Sequence, residues 1–120
     1  GEDYFSTARL SRKQARDTAI SMLEEAKQDE NASEDVLNEA AETLQVLAGY
    51  TVAESQIENL VVAKGYTDCV AFMGADSVSV VVSSPTELEA ADVARIKDIV
   101  IAETDYTAGQ IKIMEAGGTK

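Results

Sequence analysis

Histidine and tryptophan are missing altogether, cysteine and proline occur once each, and six aromatic rings serve 120 residues. Without histidine the commonest general base and the commonest metal ligand are gone, so catalysis would fall to carboxylates, tyrosines or Cys69. None of these sits in a catalytic pattern. The acidic pairs Glu24-Glu25, Asp29-Glu30 and Glu34-Asp35 lie at helix ends, where solvation and the helix dipole account for them. No alternating Asp/Asn loop with a turn glycine offers a calcium site, and no glycine-rich loop follows a strand to cradle phosphate. A lone cysteine excludes an internal disulfide, and Cys69 in its strand context reads as a small buried hydrophobe. The chain is not read as an enzyme, and neither a cofactor nor a metal ion is expected.

Also missing is any run approaching the ~20 apolar residues of a membrane span. Positive charge is scarce: the net charge is −12, which opposes binding to nucleic-acid phosphates or to an anionic membrane surface. The strand-helix layout has something of a KH-type RNA module, but no G-x-x-G loop joins its helices and the charge has the wrong sign. One local exception stands out. Arg9, Arg12, Lys13 and Arg16 lie in a stretch without a single acid, and the rest of the chain sets six bases against 22 acids. Such a stretch is either the polar side of a helix or the flank of a membrane anchor.

What is present suits one autonomous domain: 45% of the residues are hydrophobic, enough for a core without disulfide or metal. Phe5, Ala8, Ala15, Ala19, Met22, Leu23 and Ala26 recur at helical spacing, predicting a first helix from Asp3 to about Gln28. Its apolar stripe is thin, so weak packing or a partner surface is expected. Residues 29–33 break the pattern, and Ser33 with Glu34 and Asp35 behind it makes a good helix start. The second helix runs on through Val36, Leu37, Leu44, Leu47, Ile57 and Val61, with Gly49 its one soft point, and ends at Lys64-Gly65 with Gly65 as a left-handed cap.

A hairpin follows, with Val78, Val80 and Val82 alternating against serines. A two-residue turn centred on Gly74-Ala75 pairs Ala71 with Val78 and Cys69 with Val80. That puts Cys69, Ala71 and Met73 beneath the helices, and leaves Val70, Phe72 and Val81, joined by Met114, as an exposed apolar patch. A three-residue turn reverses the assignment and dissolves the patch. After the hairpin, Thr86 and Glu89 form a capping box, with Ser84, Pro85 and Glu87 as a competing start, for a helix reaching about Thr104. The last strand is Gln110 to Glu115, with Ile111 and Ile113 on one face. The expected fold class is α+β, in the order helix-helix-strand-strand-helix-strand. A small three-stranded sheet carries helices packed on one face, with an N-terminal helix besides. Residues 1–32 are read as that helix and its linker, 33–117 as the α+β domain, and 118–120 as a disordered tail. The abrupt start inside a helical pattern reads as a segment of a longer protein.

Two segments are specific enough to suggest a family: Y-F-x-x-x-R-L-x-R, here Tyr4, Phe5, Arg9, Leu10 and Arg12, and I-E-x-L-V-x-A-K-G-Y from Ile57 to Tyr66. With TELEAADVARIKDIVIAET behind them, they resemble the extracytoplasmic domain of the stage III sporulation protein AH family of endospore-forming bacteria, over nearly the whole chain. The resemblance implies a ring-building-type domain and a non-catalytic part in a mother cell-forespore channel. It implies a single N-terminal anchor in the mother-cell membrane, with the domain in the intermembrane space. The implied partner is the SpoIIQ ectodomain, of LytM-like fold, alongside self-association into a ring and other channel proteins of the same operon. For the partner surface the candidates are Val70, Phe72, Val81, Tyr106, Lys112 and Met114, and for a membrane-proximal basic segment Arg9, Arg12, Lys13 and Arg16. The rivals are an acidic soluble adaptor unrelated to sporulation and an acylphosphatase-like enzyme, the latter opposed by the lack of an arginine-bearing phosphate loop.

Overall fold

Two long helices set the shape of the molecule. In the computed structural model, which describes residues 2–116, α1 (Glu2–Lys27) and α2 (Glu34–Ala63) form an antiparallel hairpin running along much of a 56 Å long axis. The turn between them is held by Ser33, whose side chain accepts the Val36 N–H at 3.2 Å and so satisfies one of the open donors of α2. Gly49 does not break α2. The helix stops at Lys64, and Gly65 takes φ +109°, a left-handed conformation that glycine adopts without a Cβ clash. The expected tail, residues 118–120, lies outside the described residues.

Strands β1 (Asp68–Met73) and β2 (Val78–Ser83) form the hairpin, and β3 (Ile111–Glu115) adds parallel to β2, giving the order β1-β2-β3. The turn differs from the sequence expectation by one residue. Met73 pairs with Val78, Ala71 with Val80 and Cys69 with Val82, while the Gly74 N–H bonds Ser77 O at 2.9 Å, so Ala75 and Asp76 occupy the centre. Moving the centre by a whole residue shifts each partner by two, which preserves parity. Cys69, Ala71 and Met73 therefore lie beneath the helices as expected, packed with Val78, Val80 and Val82.

The main core is sealed by Ile57 and Val61 of α2 and by Ile96 and Val100 of α3 (Ala90–Glu103). This last helix begins later than its sequence signals indicate. Neither Thr86 nor Ser84 caps it; Glu89 stands at the N-cap and its N–H bonds Asp92 Oδ2 at 2.9 Å. Leu88 accounts for the delay. It packs against the core, and its N–H goes to Glu115 Oε1 at 3.3 Å, so residues 84–89 serve as a brace between β2 and β3 instead of a first turn.

The sheet face opposite this core is not open. Phe5, 1% exposed, covers Val70 and Val81, with Ala8, Phe72 and Ala116 around them. The thin stripe of α1 is deceptive because one phenylalanine does most of the covering, contributing roughly 1.5–3 kcal/mol of burial.

Candidate partner-binding surface

A three-stranded sheet has two edges, and each presents unpaired backbone groups that invite another strand. The two edges here are treated in opposite ways.

Along β1, side chains stand where a neighbouring strand would. Glu58 Oε2 accepts the Ala71 N–H and Glu54 Oε2 the Met73 N–H, both at 2.9 Å, while Asp68 Oδ1 takes the Cys69 N–H at 2.8 Å. Guanidinium groups supply the complementary donors, Arg9 to Cys69 O and Arg12 to Ala71 O. The same arginines bind the acids: Arg9 meets Asp68 and Arg12 meets Glu58, each at 2.7 Å, and Arg16 meets Glu54 at 2.6 Å. Three cations against three anions make a neutral block, and no buried side-chain donor or acceptor among the described residues lacks a partner. Burial works against the charge on Arg9, but its hydrogen bond and attraction to Asp68, with Glu58 nearby, outweigh it and hold the guanidinium above its ordinary pKa.

Helical periodicity explains how one segment does this. Arg9, Arg12 and Arg16 fall at i, i+3 and i+7, one face of α1, and Glu54 and Glu58 at i and i+4, one face of α2. The basic stretch is thus mostly turned into the fold. Only Lys13 points outward, and it pairs with Asp17 at 2.6 Å. Glu54, Glu58 and Asp68 did not emerge from the sequence reading. A signal was there: Glu54 and Glu58 are the only charges between Thr43 and Ala63, an odd place for two carboxylates unless cations wait opposite.

At β3 nothing comparable occurs among the described residues. The Ala116 N–H bonds Val82 O at 2.9 Å, so by alternation the backbone groups of Ile111, Ile113 and Glu115 point away from β2, along the free edge. On the face opposite the core, Lys112 and Met114 project outward, Met114 46% exposed. The remaining residues expected at a partner surface divide. Val70 and Val81 lie under Phe5, so the apolar patch expected there is covered. Phe72 is half-buried and lines a groove of about 340 Å³ with Ala15, Ala19, Leu47 and Met73. Tyr106 is half-buried too, and its hydroxyl donates to Gly74 O, tying the approach to β3 onto the hairpin turn.

Little here invites covalent chemistry. The Cys69 thiol is fully buried, and burial, with Glu58 close by, pushes its pKa up to about 12, so it stays protonated and unreactive. Among the described residues no group of three potential metal ligands comes together, and no helix is long and apolar enough to cross a membrane.

A family model described as SpoIIIAH-like protein matches residues 1–113. Among solved structures, a chain of the SpoIIQ-SpoIIIAH pore forming complex aligns with TM-score 0.79 and 20% identity, covering 94% of this chain and 98% of that one; at that identity the likeness speaks to the fold alone. EscJ, a type III secretion system protein of enteropathogenic E. coli, aligns with TM-score 0.54 and 26% identity over 61% of this chain and 49% of its own. No curated protein matches the chain.

Proposed function

The chain belongs to the SpoIIIAH-like family, and from that premise we propose that it is a non-catalytic structural component of the channel between mother cell and forespore. In this reading the domain stands in the intermembrane space on an N-terminal anchor and binds the SpoIIQ ectodomain, with assembly into a ring as the larger product. The observation that carries the reading is the asymmetry of the sheet: β1 is closed by its own arginine-glutamate block, and no described residue covers the β3 edge in that way. A partner strand laid against β3 gains main-chain hydrogen bonds for affinity. Lys112 and Met114, on alternate positions of that strand, then supply the side-chain contacts that select the partner. The fold shared with EscJ, itself a type III secretion system protein, supports a building-block role.

The test is size-exclusion chromatography with light scattering on this domain mixed with the SpoIIQ ectodomain at tens of micromolar. A mixed complex is expected, lost in the Lys112→Glu/Met114→Asp variant while its circular dichroism stays unchanged. Retention of the complex by that variant would sink the assignment to β3, and absence of any complex would sink the partner.

A further inference from the structure

From Thr43 to Ala63, about six turns of α2, the only charged residues are Glu54 and Glu58, and both are turned onto arginines of α1. The outward face of those turns is therefore uncharged. Gln45, Gly49, Val52, Gln56, Asn59 and Leu60 lie along it, every one exposed, with Val52 at 59%. This is anomalous in a chain of which 27% is charged, since a solvated helix face ordinarily carries charge, and depletion of charge marks the centre of an interface.

Gly49 sharpens the point. A glycine inside a helix costs about 1 kcal/mol relative to alanine. Nothing among the described residues requires it: Gly65 is the only described glycine with positive φ, and a Cβ added at Gly49 would meet no atom within 4 Å. Its use lies outside the molecule, where a missing side chain lets a second backbone come close.

The charges that bound this face identify the occupant. Glu42 stands at its N-terminal end and Lys64 at its C-terminal end, both exposed. We infer that two copies of this chain pack α2 against α2, antiparallel about a two-fold axis near Ala53, so that Glu42 of each copy meets Lys64 of the other and Gly49 receives the neighbouring helix. Two chains of net charge −12 repel each other over most of their surfaces, and this uncharged face bounded by opposite charges is where they can approach. The contact is isologous and self-complementary, independent of the β3 edge and of the SpoIIQ reading.

Sedimentation equilibrium of the chain alone, from roughly 10 to 500 μM at low salt, decides it. The expected result is a reversible dimer. Val52→Glu, which brings like charges together near the axis at an exposed position, weakens it at least about tenfold. Gly49→Leu does the same by holding the helices apart. Glu42→Lys and Lys64→Glu each weaken the dimer singly, and the double variant restores it. A monomer throughout the range overturns the inference, leaving the face to a different protein. A dimer indifferent to Val52→Glu and Gly49→Leu overturns the surface, and failure of the double variant to restore pairing overturns the antiparallel arrangement. Unchanged thermal melts by circular dichroism confirm that these exposed substitutions leave the fold intact.

Discussion

Arg16 grips Glu54 with both arms of its guanidinium, Nη1 at 2.6 Å from Oε1 and Nη2 at 3.1 Å from Oε2, and the second oxygen also holds the Met73 N–H. A fork of this kind joins α1, α2 and β1 through one carboxylate. Removing it leaves Arg16 with only Thr51 Oγ1, at 3.1 Å, and the Met73 N–H without its acceptor. Glu54→Ala is expected to cost about 3–5 kcal/mol of unfolding free energy, and Arg16→Lys, which keeps the charge but loses the two-pronged geometry, about 1–2 kcal/mol. Urea denaturation followed by circular dichroism measures both, and a full loss in Glu54→Ala with none in Arg16→Lys would show that charge and not geometry matters.

Phe5 offers a second test, this time of packing. It is the main apolar cover over Val70 and Val81, so Phe5→Ala should lower stability by about 3 kcal/mol and raise the binding of a hydrophobic dye. A loss under ~0.5 kcal/mol, the range of a surface substitution, would mean that α1 does not hold the sheet.

Gly65, with φ +109°, is the position where the end of α2 turns into the sheet. Any side chain there is strained even though open space surrounds it. Gly65→Ala is expected to lower the thermal midpoint, at a cost of about 1 kcal/mol, whereas Gly49→Ala should raise it by a similar amount. The opposite signs check that conformation, and not glycine content, is at issue.

The buried thiol makes stability depend on pH. In the unfolded chain Cys69 ionises near 9, but in the fold only near about 12. Between those values the unfolded chain releases a proton that the folded chain keeps, so the contribution of Cys69 is fully present below pH 9 and declines as pH rises through this window. Chemical denaturation at pH 8 and pH 11 should show the wild type losing about 2 kcal/mol more than Cys69→Ala across that interval. The same thiol should resist alkylation at pH 8 until denaturant is added.

Much of this fold could be read from the pattern of residues, and the exceptions have causes. The valine alternation of β2, the Ser33 start and the Gly65 stop are local signals, and each appears in place. Gly74 looks like the first central residue of a tight turn, which puts the expected turn one residue before the observed one, yet the faces agree because both registers share parity. What local patterns cannot convey is a residue's partner about forty to fifty positions away. Arg9, Arg12 and Arg16 read as a basic stretch, and Glu54 and Glu58 as stray acids, until α1 lies along α2 and the two rows face each other. Phe5 was legible as one member of a weak stripe and not as the lid on Val70 and Val81, since a helix crossing a sheet leaves no period that both elements share.

With β1 closed and β3 open, the sheet has a valence of one. A strand added at β3 finds no second acceptor on the far side, so stacking cannot run from copy to copy into a fibre. The arginine-glutamate block that caps β1 limits each domain to one strand-mediated bond, and any larger architecture has to be built from contacts of another kind.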